Sequence, residues 1–131
     1  MTVTIDTSAY SAFRRGHLGI RGLIRQTARL GMSVIVIGEL GTGFRRGNRQ
    51  SQNARDLDSF LASPRVHVID ADAVTADRYA EILNFLVANG SPMPTNDVWI
   101  AAQAMQHGLQ VVTTDRHFTL IPQVSTLHFD P

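Results

Sequence analysis

Residues 95–115 read TNDVWIAAQAMQHGLQVVTTD, and this stretch predicts a helix that leads directly into a strand. Thr95 or Asn96 is a suitable N-cap for the helix, and Gly108 is a typical residue to end it. The strand expected at residues 109–113 is short and apolar, and it contains two β-branched valines. A helix that leads so closely into a strand is typical of parallel sheets, in which helices connect neighbouring strands.

The same alternation of short strands and helices continues along the rest of the chain. We predict further strands at residues 2–5, 33–37, 66–69 and 124–129, and helices at residues 9–15, 17–30, 49–62 and between 72 and 89, with another starting near residue 38. Thr7 or Ser8 is expected to cap the first helix. Asp70 or Asp72 is expected to cap the helix that follows the third strand. The pattern predicts one doubly wound α/β domain over residues 1–131, with a parallel sheet covered on both faces.

The composition excludes several classes of protein. The 131 residues include no cysteine, which excludes disulfides and zinc sites built on thiolates. No apolar run approaches the roughly 20 residues that cross a bilayer, and the start of the chain lacks the segments of a signal peptide, so we expect a cytoplasmic protein. All twelve basic residues are arginine. The planar guanidinium group suits phosphate, but codon usage in the source genome explains this composition equally well.

Four acidic residues fall at one kind of position in this pattern. Asp6 directly follows the first predicted strand, Glu39 the second and Asp115 the fourth. Asp97 lies in the first turn of the helix that leads into the fourth strand. Because ligands of parallel sheets bind beyond the carboxyl ends of the strands, we expect these four side chains to share one site. For Asp6 or Asp97 taken alone, a helix-capping or turn role is the simpler explanation.

Four carboxylates in one site require a compensating charge. Two unit charges at about 4 Å repel each other by on the order of 4 kcal/mol at an effective dielectric constant of 20. The chain has no lysine to offset this repulsion, so protonation or a divalent cation remains. Since Mg²⁺ and Mn²⁺ prefer oxygen ligands, a site made of aspartate and glutamate predicts one of these ions.

The four acids stand in four short motifs, which are IDTS (residues 5–8), VIGEL (36–40), PTNDVWIAA (94–102) and VTTDRHF (112–118). In this order and spacing the motifs resemble those of the PIN-domain nucleases and, within that family, of the VapC toxins of bacterial toxin–antitoxin pairs. The third motif is the most specific, and the likeness covers nearly the whole chain. The resemblance implies a PIN-like, three-layer α/β/α fold with a central parallel sheet in the order 3-2-1-4-5.

The resemblance also implies roles for individual residues. The catalytic and metal-binding residues that it implies are Asp6, Glu39, Asp97 and Asp115. We expect the three aspartates to bind Mg²⁺ or Mn²⁺ directly, and Glu39 to bind it through water or to position the attacking water. The polar residues beside them are Thr7, Ser8, Asn96 and Thr113, which are expected to orient the carboxylates or water. The implied reaction is hydrolysis of RNA phosphodiester bonds, which leaves a 5′-phosphate and a 3′-hydroxyl.

Three partners are implied by the same resemblance: an RNA substrate, a VapB-type antitoxin, and a second copy of the chain in a homodimer. The toxin and antitoxin form a hetero-oligomer, and the toxin inhibits translation and growth when it is not neutralised. The candidate RNA contacts are Arg45, Arg46, Arg49 and Arg116, for which a solvated surface is the alternative. The apolar residues Tyr10, Phe13, Leu18 and Ile20 form either an antitoxin-docking surface or part of the core.

Two other functions compete with catalysis. A non-catalytic RNA-binding or protein-interaction module on the same fold would bind without cleaving, and the intact set of four acids argues against it. A phosphoacceptor domain also places aspartates at strand ends, but such domains use a lysine, which this chain lacks. The five histidines show no metal-binding spacing. His117 adjoins the fourth motif, and contact with the substrate is the less expected role for it.

Overall fold

The computed structural model describes residues 2–131, so the predicted domain start at residue 1 lies outside the described residues. Within this range the chain forms a five-stranded sheet in which all neighbouring strands are parallel. The strands are β1 (Thr2–Ile5), β2 (Arg29–Ser33), β3 (Val66–Ile69), β4 (Gln110–Thr113) and β5 (Thr126–His128). Their order in the sheet is β3-β2-β1-β4-β5, which confirms the predicted topology.

Helices cover both faces of the sheet. They are α1 (Thr7–Arg14), α2 (Leu18–Gln26), α3 (Val34–Arg46), α4 (Gln50–Leu61), α5 (Ala73–Ala88) and α6 (Thr95–His107), followed by a 3₁₀ turn at His117–Leu120. Val3, Thr4 and Ile5 are successive residues of β1, and all three are buried. Because successive side chains of a strand point to opposite faces, both faces of β1 must be covered. No helix among residues 2–131 is long and apolar enough to span a membrane.

The second strand lies earlier in the chain than predicted. β2 occupies Arg29–Ser33, and the apolar residues 34–37 form the first turn of α3. Ser33 explains where the helix starts, because its hydroxyl accepts the backbone N–H of Ile35 at 3.0 Å. The predicted strand at residues 33–37 is therefore wrong. The β-branched residues 34–37 follow a good N-cap, and they form the start of a helix.

Gly31 is a residue of β2 and does not end a helix. A Cβ at this position would overlap Cδ1 of Ile69 in the neighbouring strand, so a larger residue here would displace that side chain. The predicted helix over residues 17–30 is accordingly too long, and α2 ends at Gln26. As a consequence, Glu39 lies in the second turn of α3 and does not directly follow a strand.

The first helix is capped by a candidate catalytic residue. Asp6 occupies the N-cap of α1, and its Oδ1 accepts the backbone N–H of Ala9 at 2.8 Å. Thr7 and Ser8 are inside the helix, so their predicted capping role is wrong. Their hydroxyl groups are consequently free to bind other side chains of the site.

The starts of the later helices follow the prediction in part. Asp72 caps α5, as predicted, and Gly108 ends α6 with a positive φ of 65°. Thr95 and Asn96 do not cap α6, because Pro94 occupies the N-cap position and offers no side-chain acceptor. Proline fixes the extended backbone that precedes the helix, and Asn96 is left to act elsewhere.

The apolar residues of the first two helices are divided between the core and the surface. Tyr10 and Ile20 are buried, and Phe13 packs partly buried against the same core. Leu18, in contrast, is 86% exposed. Core packing therefore explains three of the four residues in the predicted apolar patch, which is not a continuous exposed surface.

Candidate active site

Asp6 is the most buried of the predicted acids, with 4% of its surface exposed. Ser8 Oγ donates to its Oδ1 at 2.7 Å, and Thr113 Oγ1 donates to its Oδ2 at 2.6 Å. Burial raises the pKa of Asp6; these hydrogen bonds oppose the shift, and the negative charge of Asp115 adds to it. The carboxylate is thus fixed in one orientation and kept close to other negative charge, as a cation-binding group would be.

Asp115 lies beside Asp6 because β4 pairs directly with β1. The backbone N–H of Asp115 donates to Thr113 Oγ1 at 2.9 Å, and the same hydroxyl donates to Asp6. Its carboxylate Oδ1 accepts the backbone N–H of His117 at 2.9 Å. The side chain is 38% exposed, so this carboxylate faces the open side of the site.

Asp97 reaches the site from the first turn of α6, as predicted. Its side chain is 17% exposed. Burial raises the pKa of Asp97, the hydrogen bond and charge of His117 oppose the shift, and the charges of Asp115 and Asp6 add to it. Because the three aspartates influence one another in this way, they form a single electrostatic cluster.

His117 contacts two of the acids, which the sequence analysis did not predict, although it noted that this histidine adjoins the fourth motif. Its Nδ1 lies 3.1 Å from Oδ2 of Asp97 and 3.2 Å from Oδ2 of Asp115. No histidine spacing along the chain could indicate this contact, because it joins two structural elements that meet only in the folded sheet. The available signal was the position of His117 two residues after Asp115, in a short turn that follows a strand.

Glu39 lies at the margin of the aspartate cluster, on α3. Thr7 Oγ1 donates to its Oε1 at 2.7 Å, and Asn96 Nδ2 donates to its Oε2 at 3.4 Å. Since Thr7 follows Asp6 and Asn96 precedes Asp97 in the chain, these bonds hold Glu39 next to the cluster. The structure therefore brings the four predicted acids to the same edge of the sheet.

The four polar residues predicted beside the acids all contact them. Two bind Asp6 and two bind Glu39; they are Ser8, Thr113, Thr7 and Asn96. Ser8 and Thr113 also lie 3.3 Å apart, which joins the two groups that hold Asp6. All four donate through neutral hydroxyl or amide groups, so they orient the carboxylates without neutralising them.

The negative charge of the site is not offset by arginine. Within residues 2–131, the arginine ion pairs involve Asp56 and Asp77, and none of the four site acids takes part in one. Asp97, Asp115 and His117 each offer one ligand atom, and these three atoms lie within 4.8 Å of one another. Close carboxylates with an adjacent imidazole nitrogen fit a divalent cation.

Arg46 is the candidate RNA contact that lies beside the site. It lines an open cleft of about 620 Å³, and Glu39 and Asn96 form part of the same wall. The cleft thus runs from the margin of the acidic cluster along α3, with a guanidinium group on its side.

The other three candidate arginines are not among the residues that line this cleft. Arg45 donates to the carbonyl oxygen of Gly41 at 3.1 Å and lines a separate depression between α3 and α4. Arg49 is exposed before α4, and Arg116 is exposed directly after Asp115. Arg116 is therefore the second arginine close to the acids.

Comparisons with known proteins show that this chain belongs to the PIN domain family. The model of the PIN domain family matches residues 3–123, a range that includes all four acids. Among curated proteins, Ribonuclease VapC4 of Mycobacterium tuberculosis is 30% identical over 97 residues, which cover 74% of this chain and 75% of that protein.

Two crystal structures are similar to this chain over nearly its whole length. One is VapBC2 from Rickettsia felis, in a complex with a DNA fragment from its own promoter. It has a TM-score of 0.89 and 26% identity, and the match covers 99% of this chain and 100% of that chain. DNA-bound VapBC from Salmonella typhimurium has a TM-score of 0.86 and 27% identity, with 98% of each chain covered. The fold is therefore one already seen in crystals.

Proposed function

We infer the function of this chain from the PIN domain family, to which it belongs, and from the acidic site at the edge of its sheet. We propose that it is a divalent-metal-dependent endoribonuclease of the VapC group, which hydrolyses RNA phosphodiester bonds. The observation that carries the proposal is the convergence of Asp6, Asp97 and Asp115, none of which has an arginine partner in the described part of the chain. The relative named Ribonuclease VapC4 supports the same class of reaction.

Mg²⁺ or Mn²⁺ is the proposed cofactor, and the three aspartates are the proposed direct ligands. When bound, the ion would acidify the attacking water and offset the charge that develops on the phosphate. Thr113 and Ser8 hold both oxygens of Asp6, so this ligand needs no reordering when substrate arrives. Glu39, whose two oxygens are fixed from two sides, is proposed to position the attacking water.

The cleft beside Glu39 is the proposed path of the RNA strand. Arg46 lines the cleft, and Arg116 is exposed next to Asp115. We propose that both contact phosphates that flank the scissile bond, because guanidinium groups bind two phosphate oxygens at once. Arg45 and Arg49 are proposed as weaker contacts, because they lie outside the cleft.

The proposed partners follow from the relatives. The similar crystal structures are VapBC complexes, so we propose a VapB-type antitoxin, a homodimer of this chain and a hetero-oligomer of the two proteins. Free of the antitoxin, the chain would inhibit translation and growth by cleaving RNA in the cytoplasm. We further propose that residues 1–131 form a single PIN-like domain.

Cleavage of a fluorescently labelled single-stranded RNA tests the proposed function. The wild type and the variant Asp97→Asn are compared with Mn²⁺, with Mg²⁺ and with a chelator, and product ends are examined for a 5′-phosphate. We expect cleavage by the wild type with either ion, and a loss of about 10²–10³-fold or more in the variant, because a ligand of the ion becomes neutral. The matched control is Asp77→Asn, an exposed aspartate on α5 that should cleave like the wild type.

Two results would contradict the proposal. Equal cleavage by wild type and Asp97→Asn would show that the acidic cluster is not the active site. RNA that is retained by the protein but not cut with any divalent ion would instead favour a binding module on the same fold.

A further inference from the structure

We propose that Nδ1 of His117 is a direct ligand of the divalent ion, shared with Asp97 and Asp115, and that this nitrogen gives the site a preference for Mn²⁺ over Mg²⁺. The inference rests on the proposed function, because it concerns the same ion. It adds a donor that is not among the four predicted acids, although His117 lies within the fourth motif.

The distances are those of atoms that can share one ion. Nδ1 lies 3.1 Å from Oδ2 of Asp97 and 3.2 Å from Oδ2 of Asp115. One ligand atom from each of the three residues lies within 4.8 Å of the other two. Two neighbouring ligands of an octahedral ion, each bound at about 2.1 Å, lie about 3 Å apart. The three groups therefore need little movement to surround an ion.

The chain holds the imidazole on the side of the carboxylates. The backbone N–H of His117 donates to Oδ1 of Asp115 at 2.9 Å, which fixes the start of the 3₁₀ turn against that side chain. The next residue, Phe118, is completely buried and anchors the turn to the core. The histidine side chain itself is 42% exposed, so the imidazole borders solvent and does not lie in the core.

A different histidine illustrates what a structural role looks like in this protein. Both ring nitrogens of His17 are engaged by the backbone: Nε2 lies 2.6 Å from the carbonyl oxygen of Asp130, and Nδ1 accepts the N–H of Ile20 at 3.2 Å. Nδ1 of His117 instead faces two carboxylates that bear negative charge. While it carries a proton, this nitrogen donates a hydrogen bond to them, and once the proton is lost its lone pair can bind a cation that the two carboxylates share.

The identity of the ligand atom determines which metal ion binds more tightly. Mg²⁺ is a hard cation that binds oxygen and water in preference to nitrogen. Transition metal ions accept imidazole readily, so a nitrogen ligand favours Mn²⁺ relative to Mg²⁺. A histidine that only hydrogen-bonds the two aspartates would form no bond between metal and nitrogen.

Pulsed electron paramagnetic resonance of the Mn²⁺-loaded protein tests the proposal directly. We expect the wild type to show spin-echo modulation from a directly bonded nitrogen, and His117→Asn to lose it. The matched control is His107→Asn, at the opposite end of α6 from Asp97, which should keep the signal. Calorimetric titration with each ion should also show that the ratio of Mn²⁺ to Mg²⁺ affinity falls by about tenfold or more in His117→Asn.

The outcomes separate this inference from the proposed function. Absence of the nitrogen signal in the wild type, its persistence in His117→Asn, or an unchanged affinity ratio would overturn the inference while the acidic site still bound metal and cleaved RNA. Failure of Asp97→Asn to alter either Mn²⁺ binding or cleavage would overturn the proposed function itself. Circular dichroism checks that each variant is folded, and His117→Gln replaces the asparagine variant if that one is not.

Discussion

Two polar networks lie at the carboxyl edge of the same sheet, and they differ in charge. Beyond β2 and β3, Gln103 accepts a hydrogen bond from Ser33 and donates to the carbonyl oxygens of Ile69 and Asp70, each at 3.1 Å. Beyond β1 and β4, the network is built around Asp6 and the other acids. The first network is neutral, and the second carries several negative charges in a small volume.

The comparison shows that burial alone does not identify a functional site. Gln103 is 1% exposed and Asp6 is 4% exposed, so both are polar groups removed from water. The amide of Gln103 has a partner within the chain for its oxygen and for both of its N–H groups. Asp6 has hydrogen-bond partners but no ion pair with arginine or histidine within residues 2–131, so a bound cation could offset its charge.

The two networks should differ most in how a substitution changes the rate of RNA cleavage. Asp6→Asn keeps the shape of the side chain and an oxygen that can cap α1, but it removes the negative charge. We expect the rate of RNA cleavage to fall by about 10²–10³-fold or more. The ion-free protein should become more stable, because the cost of burying a charged carboxylate and, to a smaller extent, its repulsion with Asp115 are relieved. Single-turnover cleavage and urea unfolding in the presence of a chelator measure the two effects. If the variant lost stability but kept its cleavage rate, Asp6 would have a structural role like that of Gln103.

The neutral network should respond in the opposite way. Gln103→Leu leaves the O–H of Ser33 without its acceptor and two backbone carbonyls without the amide donor, so we expect the free energy of unfolding to fall by about 2–4 kcal/mol. Cleavage per folded molecule should remain close to that of the wild type. The matched control is Gln52→Leu on the exposed surface of α4, which should change stability little. A strong loss of cleavage by folded Gln103→Leu would contradict the division between the networks.

A smaller effect is expected on the pH dependence of stability, in which Asp6→Asn is compared with the wild type. The raised pKa of Asp6 means that the folded chain binds a proton there more readily than the unfolded chain. This contribution to stability is fully present below the ordinary carboxyl pKa and is lost as pH rises through the raised value. In a chelator, Asp6→Asn should therefore exceed the wild type in Tm by roughly a few degrees at neutral pH, and the difference should narrow as pH falls.

The control for this pH effect is saturation with Mn²⁺. A bound ion supplies the missing positive charge, so the gap in Tm between Asp6→Asn and the wild type should vanish or reverse at neutral pH. A gap that stayed constant from neutral to acidic pH would show that the charge of Asp6 is not its origin.

The sequence was sufficient to predict the sheet topology and to place the four acids at one edge of the sheet. Strong local signals, such as Gly108 after a helix and the apolar strand that follows it, fixed the alternation of elements that the sheet confirms. Asp6, Asp97 and Asp115 were found because each stands next to an element boundary that such signals mark. Glu39 was found by its motif, although the strand expected before it was misplaced.

The details that the sequence could not supply depend on contacts between distant elements. Gly31 suggested the end of a helix, but it lies in β2 beside Ile69, which only the folded sheet reveals. The contact of His117 with Asp97 requires the docking of α6 against the turn after β4. The difference between Arg46 and Arg45 likewise depends on which side of α3 each side chain lies, and helical spacing near a misassigned strand did not determine it.

The hydrogen bond between Thr113 and Asp6 joins residues 107 positions apart, and this separation has a consequence for the protein during its synthesis. The ribosome makes β1, β2 and β3 first, and these strands are neighbours in the sheet. They leave one side of β1 vacant for β4, which brings Thr113 and Asp115 much later. Three of the five strands are therefore made before Thr113 and Asp115, and the proposed nuclease site is complete only once β4 has docked beside β1.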